Sequence, residues 1–102
     1  MKFATPFIAI ASIAVLAACS TPLDPGAEKV RVVSAAEKAN CESLGVVSTD
    51  QQLGHNKASN SMNRAINEVS RRGGNAMYLV FAGTSGLDGA AVTAEALRCK
   101  QG

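Results

Sequence analysis

Residues 75–99, NAMYLVFAGTSGLDGAAVTAEALRC, hold one clear strand, one loop and one ambiguous tail. The apolar run 76–82 is continuous, and such a run predicts a central strand covered on both faces. Gly83, Gly86 and Gly89 punctuate the next residues as a hairpin loop. The loop lacks the Gly-Lys-Ser/Thr of a phosphate loop and the glycine spacing of a dinucleotide loop. The tail from Ala90 to Cys99 is open on local grounds. Its alanines suit a helix, whereas Val92, Thr93 and Leu97 in near alternation suit a strand. The elements upstream decide between them.

The best helical period in the chain lies just before this stretch. In NKASNSMNRAINEVSRRGGN, Ala58, Met62, Ala65, Ile66 and Val69 fall within one apolar arc. Asn63, Arg64, Asn67, Glu68 and Arg71 occupy the other side, which reads as solvated. Gly73 and Gly74 end the helix. Arg71 and Arg72 stand in the last turn, where cations complement the helix dipole, so Arg64, Arg71 and Arg72 need no bound anion to explain them. Further upstream, SLGVVSTD predicts a strand over 44–49, and KVRVVS a short edge strand. The polar, alanine-rich residues 35–42 are open between a loop and one helical turn.

The N-terminus is of another kind. Lys2, an apolar run over 7–16 and the small Ala17 and Ala18 make the pattern of a secretory signal peptide. The run is too short to span a bilayer as a helix. Leu16-Ala17-Ala18-Cys19 resembles the lipobox of bacterial lipoprotein precursors. The resemblance implies cleavage before Cys19 and acylation of its thiol, with two or more chains giving a stable anchor. Ser20, where an Asp would resemble an inner-membrane retention signal, points to the outer membrane. The expected organisation is a signal peptide over 1–18, a lipidated flexible tether over 19–29 and a small α/β periplasmic domain over 30–102. A tether of that length reaches about 30 Å when extended.

With Cys19 lipidated, Cys41 and Cys99 remain, and an exported domain retains disulfides. Only one pairing is then available, and it closes most of the domain into a loop worth about 4 kcal/mol. Neither cysteine belongs to a C-x-x-C pair and His55 is the lone histidine, so neither a metal site nor a redox dithiol is expected. The pairing also resolves the tail. Strands 44–49 and 76–82, joined by the helix, run parallel. A hairpin then returns a fourth strand antiparallel to both, ending where the strand after Cys41 begins. The expected fold is a small mixed sheet of about four strands, order β-β-α-β-β, with one amphipathic helix on one face and one disulfide.

VRVVS, Cys41-Glu42-Ser43-Leu44-Gly45-Val46-Val47, Gly74-Asn75-Ala76-Met77-Tyr78-Leu79 and AEALRC together resemble the small bacterial lipoproteins of domain-of-unknown-function family 4156. The outline is distantly similar to the outer-membrane lipoprotein of the Rcs phosphorelay. That protein carries two disulfides, and this chain has thiols for one. The resemblance implies a periplasm-facing α/β module with no assigned catalysis.

Ten Lys and Arg, one of them Lys2 in the leader, against eight Asp and Glu give no case for a nucleic-acid partner. An enzyme would need a base beside a nucleophile. His55, near Asp50, Ser59 and Ser61, is the sole imidazole and reads as a loop residue. Asp88 in the 83–89 loop is one carboxylate, too few for a strong calcium site. The expected function is therefore non-enzymatic and without cofactor: a module held to outer-membrane lipid through acylated Cys19, binding an envelope protein or sensing the envelope. A small-ligand-binding lipoprotein, or a hydrolase using His55, is the alternative.

Overall fold

The tail Gly89–Cys99 is a strand, one of the two inner strands of the sheet and the one paired along most of its length on both sides. The computed structural model describes residues 21–86 and 88–100, so Cys19 and the leader lie outside the described residues. The elements in chain order are a 3-10 turn (Ala27–Lys29), β1 (Arg31–Val32), α1 (Ala35–Lys38), β2 (Cys41–Gln51), α2 (Lys57–Arg71), β3 (Ala76–Ser85) and β4 (Gly89–Cys99). The spatial strand order is β1-β3-β4-β2. β1 runs parallel to β3, while β4 is antiparallel to both β3 and β2. The mixed α/β class, main helix and four strands are as expected, with α1 inserted between the first two strands.

Cys41 stands directly opposite Cys99 in the β2/β4 ladder, and the two form the disulfide. Alanine is a poor strand former, yet β4 is rich in it. The reason is tertiary. α2 lies across β4, and Ala94 and Ala96 beneath it are completely buried. Small side chains there let the helix approach the sheet. Val47, Ala65, Val69, Met77 and Val92 complete this core. Each fully buried Val or Met side chain contributes about 1.5–3 kcal/mol.

α2 ends as its glycines predict. The Gly73 N–H donates to the Ser70 carbonyl and the Gly74 N–H to that of Val69, with Gly73 at φ 84°. This is the paired-bond helix stop that favours glycine in the left-handed region. The buried stripe differs in detail from the sequence reading. Ala58 is exposed, while Ser61 is fully buried and its hydroxyl donates to the Ala90 carbonyl.

Two expectations are corrected. The apolar run of β3 is not covered on both faces: Val80 and Phe81 are 58% and 48% exposed. α2 covers one face only, and a bulge between Leu79 and Phe81 interrupts the β3/β4 register. β3 is an inner strand, but β1 flanks only its first residues, whereas β4 is paired on both sides along most of its length. The second correction concerns the flexible tether expected over 19–29, of which residues 21–29 are described, and the helix face expected to be solvated. Residues 21–29 form a strap across the outer side of α2. The Thr21 N–H donates to Asn60 Oδ1, and Asn63 Nδ2 donates to the Thr21 carbonyl. Asn67 is bonded twice: Nδ2 donates to the Pro22 carbonyl, and Oδ1 accepts from the Asp24 N–H at 2.7 Å. Arg71 pairs with Asp24 at 2.9 Å. Asn60 and Asn67 are consequently buried, as is Ala27 in the 3-10 turn.

A side-chain amide that satisfies two part-buried backbone groups leaves both unpaired when removed, and each unpaired group costs about 1–3 kcal/mol if it stays buried. Asn67→Ala is therefore expected to destabilise the domain by about 2 kcal/mol and to expose the Asp24 amide. Hydrogen exchange checks this. Unchanged protection at Asp24 would mean the strap is not held by Asn67.

Candidate functional site

The face of the sheet opposite α2 is the part of the domain that the fold leaves half finished. Its disulfide end is covered. Ser34 and Glu37 form a reciprocal capping box that starts α1, and Arg31 pairs with Glu37 at 3.0 Å. That hydrogen bond, with the Ser34 N–H, holds the Glu37 carboxyl below its ordinary range. Lys38 extends from α1 over the sheet, 2.7 Å from Glu95 and 4.8 Å from the Tyr78 ring centroid. Beneath lies a second small core of Val33, Ala76, Leu97 and Cys99.

Lys38, and after it a hydrogen bond from Ser43, lowers the Glu95 pKa, and Glu95 raises that of Lys38. The signs are set by linkage. Glu95's contribution is complete above its ordinary value of 4.5 and is lost as pH falls through the lowered folded-state value. Lys38's is complete below 10.5 and is lost only as pH rises through its raised value. The pair thus persists across neutral pH and opens in acid. Tyr78 is the only tyrosine and there is no tryptophan, so its fluorescence is expected to change below about pH 4.5 ahead of global unfolding. A flat Tyr78 signal until the whole domain unfolds would refute the coupling.

Beyond α1 no element among the described residues covers the face. Ser48, Thr93 and Phe81 form one row across β2, β4 and β3, and Val46 opposite Glu95 begins the row beside it. Val46 is 59% exposed, and Phe81 and Val80 are about half exposed. The edges differ. On β2, the Arg72 guanidinium donates to the Leu44 and Val46 carbonyls on either side of Gly45, and Arg64 donates to the Asp50 carbonyl. Gly45, at φ 97°, sits at a break in the β2/β4 register. These arginines and the bulge blunt that edge. On β3, β1 pairs with Ala76 and Met77 alone. From Leu79 onward no strand among the described residues lies on that side.

The other residues singled out from the sequence are structural or apart. Arg64, Arg71 and Arg72 bond to β2, Asp24 and Glu68. They line a cleft of about 490 Å³ with Thr21, Thr49 and Glu68. Asp88 is paired with Lys57 at 3.0 Å, which ties the β3/β4 turn to the start of α2. His55 is exposed, and Ser61 is turned into the core rather than toward it. Among the described residues no cluster of His, Cys, Asp or Glu could hold a metal ion, and no helix is long and apolar enough to cross a membrane. On the other flank of α2, Ala58, Met62, Ala82 and Val92 line an apolar cleft of about 450 Å³.

Fold and site define a one-disulfide α/β domain with a strapped helix on one face of its sheet and an open half-face on the other. Compared with family models, curated proteins and solved structures, the chain matches none.

Proposed function

We propose that this protein is a lipid-anchored module of the cell envelope, held to the outer membrane through acylated Cys19, whose open half-face and free β3 edge receive an extended segment of a protein partner. The observation that carries the reading is the juxtaposition of half-exposed Val80 and Phe81 with strand edge that no described strand pairs. An added strand gains main-chain hydrogen bonds from such an edge and side-chain contacts from the apolar residues beside it. The lipobox-like tetrad supports the anchor. The resemblance of residues 41–47 and 94–99 to small lipoproteins points the same way.

A photo-crosslinking residue at Phe81 in cells is expected to give a discrete protein adduct, absent when the same residue stands at Glu28. Adducts equal at both positions, or none at Phe81, would overturn the interaction reading. Intact-mass analysis checks the anchor separately: loss of residues 1–18 and a gain of acyl mass are expected, and both should be abolished in Cys19→Ala.

A second reading, binding of a small apolar ligand, is favoured by the cleft beside Met62 and Val92. Displaceable binding of an apolar fluorescent probe, lost in Met62→Glu, is the result it requires.

A further inference from the structure

The strap runs in a definite direction along α2. Asp24 bonds to Asn67 and Arg71 in the second half of the helix, and Thr21 bonds to Asn60 and Asn63 in the first half. Traced back from Asp24 toward Cys19, the chain climbs α2 to its first turns. Asn60 Nδ2 also donates to the His55 carbonyl at 3.1 Å. One side chain therefore joins the start of the strap to the 52–56 loop. One residue, Ser20, separates Thr21 from Cys19, and two residue steps span at most about 7 Å. A leash of about 30 Å, which the sequence alone suggests, is not available to a strapped chain.

The bilayer must then come close to this end of the domain. Among the described residues, the most exposed large apolar side chain is Leu53, 82% exposed in an otherwise polar loop at this end. One exposed leucine needs no explanation by itself; its place at the exit of the lipid-bearing chain gives it one. An apolar side chain held at the boundary of head groups and acyl chains gains burial there.

We infer that the domain docks on the bilayer through the 52–56 loop, with Leu53 seated at the lipid interface, and that the strap from Thr21 to Asp24 holds it in this orientation. The inference rests on the lipid-anchor reading of Cys19. β2 ends at this loop and β3 ends at the turn tied to Lys57, so the sheet stands up from the membrane. The disulfide and α1 point away from it. The free β3 edge then meets partners from the side, close to the lipid surface.

The test uses the full lipidated chain, reconstituted in vesicles of phosphatidylethanolamine and phosphatidylglycerol. A nitrobenzoxadiazole label is placed at Leu53→Cys, or at Ala36→Cys on α1 at the opposite end. The expected result is blue-shifted emission and a several-fold smaller iodide quenching constant at position 53 than at 36. A six-residue Gly/Ser insertion after Ser20 leaves the fold untouched and gives back about 13 Å of slack. It is expected to abolish the difference while the protein still floats with the vesicles. Equal quenching at both positions in a protein that floats would overturn the docking inference and spare the anchor. Shielding at 53 that survives the insertion would overturn the role of the strap. Failure of the protein to float would overturn the anchor reading itself, and the inference with it.

Discussion

Replacing Cys41 and Cys99 with alanine is expected to destabilise the domain by about 4 kcal/mol. The bridge joins residues 58 apart in sequence and encloses β2, α2, β3 and β4 in one loop. In the unfolded chain that constraint removes the entropy of a loop containing most of the ordered residues. In the folded chain it costs little, because the ladder already places Cys41 opposite Cys99. Alanine is the appropriate replacement: Cys99 is buried against Val33, Ala76 and Leu97, and a serine hydroxyl there would add a desolvation cost of its own. A domain this small has only a few kcal/mol to lose. At about 4–8 °C per kcal/mol, the melting midpoint is expected to fall by about 15–30 °C, and reduction of the native protein should reproduce the effect. Thermal unfolding monitored by circular dichroism decides it. A loss below about 1 kcal/mol would mean that the core alone closes the fold, against the small-domain argument.

The same pair of cysteines explains why so much of the architecture is legible in the sequence. β4 carries no decisive local signal, since Ala90, Ala91, Ala94 and Ala96 favour a helix. Only the demand that Cys99 reach Cys41 makes it a strand, and the ladder meets that demand. α2 is legible because its apolar stripe has a helical period and glycines at its end. α1 carries a readable signal, the Ser34-x-x-Glu37 spacing of a capping box, in residues that composition alone leaves open.

What cannot be read is physical as well. Asn60, Asn63 and Asn67 look like a solvated face because hydropathy scores a polar side chain as outward. Two of them are buried, and what buries them is a strap bound by hydrogen bonds rather than by apolar contact. Nothing in a hydropathy pattern registers an amide that satisfies two backbone groups. Likewise, a continuous apolar run does not say whether both faces of a strand find cover. In β3, Met77 and Ala76 do, and Phe81 does not. The open half-face is therefore invisible in the apolar run 76–82 itself.

Met77→Ala is expected to cost about 2–5 kcal/mol, comparable with loss of the disulfide. Met77 is fully buried and projects from β3 toward α2, among Ala65, Val69, Ala94 and Ala96. The alanines that let the helix approach the sheet also leave few large side chains to fill the space between them. Truncating Met77 removes one of the few that do so, and neighbours as short as alanine cannot close the cavity. Met77→Leu, which nearly conserves volume, should cost less than about 1.5 kcal/mol. Phe81→Ala is the informative comparison. Phenylalanine is the larger side chain and sits four residues along the same strand, but about half of it faces solvent on the uncovered side. Its removal is expected to change stability by no more than about 1 kcal/mol while removing the partner contact proposed for that face. Denaturant unfolding of the two variants side by side separates the roles. A Phe81→Ala loss as large as that of Met77→Ala would mean that Phe81 is packed in the folded protein, and the half-face would then be no docking surface.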